Sequence, residues 1–437
     1  MLKRLPAFES SDYRLWFVGQ SISLIGTWMQ NVGQSWLVLQ LTNSPLKLGL
    51  LTSVQFIPTL LLSVFIGPVI DRFPKRSVLL FTQIMFALNA AALTILAFSG
   101  HILYWHVLLI ASVTGFIQAI DMPTRQAFVT ELVHDRSAVA NAVALNSAMF
   151  NIARIVGPGI GGLLIAAVGI PWTFAANGIS FVSVIVSLLY MKAGRKALDG
   201  ASRSYLKDVR EGIGYVRRNR IVLTLLIIVG VLSLFLLNFN ILIPSFAQLA
   251  LGLSAEGYGG LVSAMGVGAL GAALLMSLRG RRLEPKPAYV LAAGFLLSVA
   301  MILVGLQRSI WVTGLLLMCC GFGMASLTMM CNTGLQMQAP DHMRGRVMAA
   351  YNLVFTGSTP FGALYAGEIC EALGPGTGFL VSGIIGLVFM FLILGFVAPR
   401  VFAGVTTLAV RAAGPGQVRS ASEAPDEGSA GGGSFNI

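Results

Sequence analysis

Ile221-Val222-Leu223-Thr224-Leu225-Leu226-Ile227-Ile228-Val229 decides the fold class. It opens a window, 221–255, that holds no Asp, Glu, Lys or Arg. In lipid every backbone N–H and C=O must be bonded within its own segment or within a closed barrel. A barrel strand alternates apolar and polar residues over about ten positions, and this run does not alternate. It is also longer than the roughly 20 apolar residues a helix needs to cross a bilayer. The segment reads as a transmembrane helix.

The rest of the chain agrees. Of 437 residues 56% are hydrophobic and only 11% are charged, against about 45–50% and about 25% in soluble domains. The mean hydropathy is +0.81. Too little charge is present to coat a water-exposed surface, and disordered, fibrous and disulfide-rich classes are excluded as well. Charge-free windows, together with the stretch 137–191 that holds the single charge Arg154, divided at Ser99-Gly100-His101 and Gly169-Ile170-Pro171, predict twelve spans. They run 15–40, 47–70, 77–98, 104–124, 138–166, 172–191, 221–249, 257–278, 287–306, 310–333, 347–371 and 377–398. The expected architecture is an all-α polytopic membrane protein.

Cytoplasmic loops carry the Lys and Arg excess. With the N-terminus inside, 26 of the 29 Lys and Arg residues fall on the cytoplasmic side, and only Lys47 and Arg308 on the other. Both termini are therefore expected in the cytoplasm, and the +12 net charge is loop asymmetry rather than a nucleic-acid patch. No cleavable signal peptide is visible. Cys319, Cys320, Cys331 and Cys370 fall inside spans and show no ligand or disulfide spacing. No metal site and no cofactor is expected.

A basic stretch divides the chain six plus six. The expected units are an N-terminal bundle (1–192), a cytoplasmic central loop (193–219) with an amphipathic helix from Ser204 to Asn219, a C-terminal bundle (220–400) and a disordered tail (401–437). The halves repeat: Gly115-Phe116 recurs as Gly321-Phe322 and Asn146 as Asn352, 206 residues on, while Gly169 and Phe174 recur as Gly374 and Phe379, 205 on. Repeated six-helix halves around a midplane site are a transporter architecture.

Three motifs stand out. Gly67-Pro68-Val69-Ile70-Asp71-Arg72-Phe73-Pro74-Lys75-Arg76 lies after span 2. Asp121-Met122-Pro123-Thr124-Arg125-Gln126-Ala127 closes span 4. Asn151-x-x-Arg154-x-x-Gly157-Pro158-x-x-Gly161-Gly162 occupies span 5. With Pro340-Asp341-x-Met343-Arg344-Gly345-Arg346, they make the chain resemble the major facilitator superfamily over nearly its whole length, in the enterobactin-exporter-like branch of drug and siderophore exporters. The resemblance implies two pseudo-symmetric six-helix bundles and proton antiport. It also implies a gating loop (Gly67, Asp71, Arg72, Lys75, Arg76) and an antiporter-like element (Gly157, Pro158, Gly161, Gly162). The family's common acidic residue in helix 1 is absent, and the second copy of the loop motif, Ser277 to Arg282, lacks its Asp.

The residues carry their own case. Gln20, Ser23, Thr27, Gln30, Asn31 and Gln34 step by three and four along span 1, so they share one face that meets either a cavity or another helix. The expected cavity residues are Gln30, Asn31, Gln34, Asn151, Asn240 and Asn352. Arg154 is the one cation deep in a span, where a lone charge costs at least about 2.5–3.5 kcal/mol. Asp121 and Glu368 are its candidate partners by depth. Asp121, Arg154, Asp71 and Glu368 are the proton-coupling candidates; an Asp121–Arg154 pair is either a coupling element or a structural tie, and Asp71 either a proton site or a fixed latch. Glu371 reads as an exposed interface residue. Trp28, Trp36, Phe235 and Phe239 read either as packing or as a stacking surface for substrate. Gly266-x-Gly268-x-x-Gly271 follows no strand, so it reads as helix packing.

The function expected is secondary active transport: proton-coupled efflux of small amphipathic molecules by alternating access, driven by the proton motive force. A facilitator or importer of the same fold and a non-transporting membrane sensor are the alternatives. The expected partners are a small-molecule substrate, protons and the bilayer of a bacterial inner membrane, with no nucleic acid and a monomeric state.

Overall fold

A computed structural model of the chain describes residues 6–62, 66, 70, 72–133, 136–192, 212, 214–279 and 287–397. Among the described residues twelve long helical segments follow a short 3-10 turn at Pro6–Glu9. They are α1 (Ser11–Thr42), α2 (Pro45–Leu62), α3 (Lys75–Phe98), α4 (Tyr104–Glu131), α5 (Arg136–Val168) and α6 (Pro171–Tyr190). The second six are α7 (Arg220–Ala250), α8 (Ala255–Arg279), α9 (Pro287–Gly305), α10 (Ile310–Gln338), α11 (Asp341–Leu373) and α12 (Pro375–Leu392), which continues as a π turn over Ile393–Val397. Among the described residues there is no strand. The expected transmembrane all-α architecture holds.

Ten of these segments are long and apolar enough to cross a membrane; α1 and α11 fall short. The shortfall has a cause. These two helices carry polar residues at mid-length, Gln30, Asn31 and Gln34 in α1 and Asn352, Thr356 and Thr359 in α11.

Several helices outrun the charge-free windows. α1 begins at Ser11 rather than 15 because the Ser10 hydroxyl accepts Tyr13 N at 3.3 Å, a cap that fixes the first turn. α10 reaches Gln338 and α11 begins at Asp341. Charge marks where the bilayer ends, whereas caps and backbone dihedrals mark where a helix ends.

The expected span 221–249 is found at Arg220–Ala250, with an irregular backbone. α7 is an α-helix over Arg220–Val231, a π turn over Leu232–Leu236, a break at Leu237 and Asn238, an α-turn over Phe239–Ser245 and a second π turn over Phe246–Ala250. Pro244 supplies no N–H inside the second part, so the regular ladder cannot run through it.

The internal repeat is visible in the backbone. Gly169 ends α5 with φ 99° and Gly374 ends α11 with φ 86°, both in the left-handed region that glycine enters without steric cost. In the first half α1 packs on α5 and α6, α3 on α4 and α6, and α2 on α4. In the second α10 packs on α8 and α9. Between the halves the main contacts pair α2 with α11 and α5 with α8. These pairs tie Met1–Met390 into one compact unit; Phe391–Ile437 forms a second, described only through Val397. The expected tail (401–437) and residues 204–211 of the expected amphipathic helix lie outside the described residues. Within 214–219, Tyr215 Oη donates to Gln338 O at 3.0 Å and Asn219 caps α7 through Ile221 N at 3.1 Å.

Candidate functional site

The buried carboxylate Asp121, 4% exposed, sits in α4. Its Oδ1 accepts Thr82 Oγ1 at 2.7 Å and Gln83 Nε2 at 2.8 Å, both from α3. Its Oδ2 accepts Arg125 Nε at 3.0 Å and also Arg125 Nη2. Asp121 and Arg125 are one turn apart on the same helix face, the spacing at which opposite charges meet. The expected Asp121–Arg154 pair is therefore corrected: a local cation and two α3 side chains satisfy this carboxylate. Depth in the membrane suggested the wrong partner because it ignores which helix face each group occupies. Thr82 and Gln83 were not singled out from the sequence, and Arg125 was named only within the Asp121–Ala127 motif, although its i,i+4 spacing from Asp121 would have shown the pair.

Arg154 lies in the middle of α5. Its Nη2 donates to Asn151 Oδ1 at 3.2 Å, and its buried Nε has no partner. Asn151 in turn donates from Nδ2 to Ser147 O at 2.8 Å.

The polar stripe of α1 divides its duties. Gln30 accepts Asn177 Nδ2 from α6 at 2.8 Å, and Gln34 is buried. Asn31 is exposed at mid-helix. Asn240 in α7 and Asn352 in α11 are exposed as well. The four aromatics each pack on another ring: Trp28 on Phe150, Trp36 on Tyr258, Phe235 on Tyr365 and Phe239 on Phe379. Trp36 and Phe239 are each 5% exposed, which leaves them no free face for a substrate.

One end of the molecule carries the basic residues Arg76, Arg125, Arg217, Arg218 and Arg344. At the other, the halves close on each other through backbone. A Cβ on Gly162 would meet Ala255 O of α8 at 2.7 Å and Glu256 Cα at 3.1 Å, and Gly259 packs against Pro158 O and Gly162 Cα. The related pair, α2 with α11, repeats this: Gly49 packs on Ala363 O, and Gly367 lies 205 residues after Gly162. Gly157 and Gly161 face Trp28 and Met29 of α1, so the Gly-Pro-x-x-Gly-Gly element seats α5 on α1 and α8 together. Ser53 Oγ donates to Pro360 O at 2.6 Å and Ser263 Oγ to Ile155 O at 2.7 Å across the same two interfaces. Trp36 stacks on Tyr258 with centroids 5.8 Å apart, joining α1 to α8. Glu371 Oε2 accepts Ser44 Oγ at 2.8 Å and Leu46 N at 3.3 Å. Glu368 is exposed. Gly266 and Gly268 lie inside α8 against Ile155 and Met318, which is helix packing.

At the basic end, Gly67 and Asp71 lie outside the described residues. Of the rest of that loop, Arg72 is exposed and Lys75, 2% exposed, donates to Ile70 O at 3.1 Å. Arg76 donates from Nε to Leu188 O at 2.5 Å and from Nη2 to Leu189 O at 2.9 Å, closing the last carbonyls of α6.

Comparison with known proteins agrees with this architecture. The family model described as transmembrane secretion effector, of the major facilitator superfamily, matches residues 4–411. The multidrug efflux pump Tap of Mycolicibacterium fortuitum is 27% identical over 376 residues, 82% of this chain and 90% of that protein. The staphyloferrin A transporter of Staphylococcus aureus is 30% identical over 199 residues, 45% of this chain and 50% of that protein. Among solved structures, a variant of the nucleoside transporter NupG superposes with a TM-score of 0.70 at 13% identity, covering 88% of this chain and 98% of its own. A bacterial homolog of the human lysosomal transporter Spinster gives 0.69 at 13%, covering 87% and 96%. The chain belongs to the transmembrane secretion effector family of the major facilitator superfamily and is a multi-pass membrane transporter, not an enzyme.

Proposed function

We propose that the protein exports small amphipathic molecules in exchange for protons, by alternating access. The observation that carries this reading is the closure, among the described residues, of one end of the molecule. The named contacts between the halves run from Ser44–Glu371 and Ala255–Gly162 to mid-helix, at Leu60–Gly357 and at Gly266–Arg154. The basic residues lie at the opposite end, which the Lys and Arg distribution assigns to the cytoplasm. The arrangement then corresponds to an inward-facing state, with Asn31, Asn151, Asn240 and Asn352 lining the path and the α2–α11 and α5–α8 seams shut toward the outside. Rocking one half on the other would open those seams. Similarity to an efflux pump over most of the chain supports the outward direction.

Asp121 is the leading proton site. Protonating its carboxylate would release the grip on Arg125, Thr82 and Gln83 and so alter how α3 and α4 hold together. Glu368 and Asp71 remain the other acids for this role, and Arg154 is assigned to cargo below. The test is proton movement in inverted vesicles read with a fluorescent pH probe, adding siderophores, macrolides, dyes and organic cations in turn. Compound-dependent proton release that vanishes in Asp121→Asn is the expected result. Release that persists moves coupling to another acid. Transport of a compound with no proton movement favours the facilitator.

A further inference from the structure

We infer that Arg154 is the binding group for an anionic moiety, a carboxylate or similar oxyanion, on the transported molecule. The inference rests on the efflux reading above and adds the chemical class of cargo.

The argument begins with position. α5 has 33 residues, and Arg154 falls beside its midpoint. On a helix turning about 100° per residue, Gly157 and Gly161 define the face on α1, and Ile155, Pro158 and Gly162 the face on α8. Arg154 lies between these two faces, about 60° from Gly157. α1 belongs to one half and α8 to the other. Arg154 is therefore set at mid-depth where the halves meet, about two turns inside the sealed Gly162–Gly259 contact.

Charge completes it. Among the described residues no carboxylate lies within ion-pair distance of Arg154; its one partner is the neutral Asn151, at 3.2 Å. Its Nε is buried and unpartnered. Asp121, the acid that could have neutralised it, is held by Arg125. A cation at this depth with most of its donors unused is costly. The planar guanidinium fork matches a carboxylate in two parallel hydrogen bonds. An anionic cargo group supplies the missing counter-charge, and Asn151 holds the guanidinium in place to receive it.

The test uses the purified full-length protein and two probes with one ring, 1-naphthylacetate and its neutral amide, 1-naphthylacetamide. Equilibrium binding of radiolabelled probe is measured by scintillation proximity. Wild type should bind the acid at least about tenfold more tightly than the amide, which is about 1.4 kcal/mol. Arg154→Gln should erase that preference and leave amide binding unchanged. Arg154→Lys, which keeps the charge but not the fork, should retain part of it and carries the test if the Gln variant is not recovered folded. Equal affinity for both probes in wild type, or equal weakening of both in either variant, overturns the inference. Energised uptake of cationic dyes into inverted vesicles keeps the two readings apart. Dye export with no acid preference leaves the exporter standing and removes the anion site, whereas absence of any transport removes the efflux reading.

Discussion

Glu371 and Ser44 stand 327 residues apart in sequence and 2.8 Å apart in space, the hydroxyl donating to the carboxylate. The same carboxylate oxygen accepts Leu46 N, in the first turn of α2, where backbone amides lack intrahelical acceptors and the helix dipole favours negative charge. An acid read from the sequence as an interface residue is thus a clasp between the two halves. Exposure and bonding coexist here: the side chain borders solvent and still ties α11 to α2.

Removing that clasp should loosen the closed end. Hydrogen bonds to a charged group are worth about 1.5–3 kcal/mol when buried, and an exposed one is worth about 1 kcal/mol. Glu371→Ala and Ser44→Ala should each raise, by roughly fivefold, the rate at which a cysteine at buried Leu48 reacts with an impermeant maleimide added from outside. The double variant should add little to either single. Unchanged labelling in both singles would remove the clasp.

The glycine seams should not tolerate bulk. Leu at Gly162 or Gly49 must displace backbone of the opposing helix, and overpacking costs about 1–3 kcal/mol. Because the strain exists only in the closed state, these variants should be expressed normally and show passive dye leak or a shift toward the outward-open form. Gly260→Leu is the control, since nothing lies within 4 Å of a Cβ there. Equal behaviour of Gly260→Leu and Gly162→Leu would show that the seam has no special role.

Asp121 and Arg125 should behave as a unit. Breaking a buried pair from one side leaves an uncompensated charge, at about 3–5 kcal/mol for a fully buried pair; the Arg125 side chain is 24% exposed, so its loss should cost less. Arg125→Gln, which strands the carboxylate, should lower the thermal midpoint in detergent more than the Asp121→Asn, Arg125→Gln double variant does. Simple additivity of the single effects would mean the pair is not coupled.

Arg76 should matter for stability and Arg72 should not. Arg76 closes two carbonyls at the end of α6, an interaction worth about 1 kcal/mol. Arg76→Ala should therefore lower the thermal midpoint by a few degrees, with Arg72→Ala unchanged within error.

Much of this molecule was legible in its sequence because the bilayer is a severe solvent. Windows with little or no charge mark the twelve segments, and Gly169 and Gly374 mark matching ends of α5 and α11. The break in α7 was harder to read. Its residues 232–236 are as apolar as their neighbours, and only Asn238, Asn240 and Pro244 hint that the ladder fails. At the site, the residue types were legible and the partners were not. Asp121 and Arg154 were found as buried charges, yet their pairing was misjudged.

Local sequence patterns are enough to establish what each segment must be. An apolar run in lipid has to be helical, an asymmetric set of Lys and Arg has to sit on one side, and a glycine at a helix end can take a positive φ. These are local consequences of solvent and backbone. Which faces meet is fixed by packing alone: Arg125 rather than Arg154 on Asp121, Gly162 against Gly259, Glu371 on Ser44. Those pairings depend on the rotation of each helix about its axis, and that rotation is set by packing across distances of up to 327 residues, which no local pattern encodes.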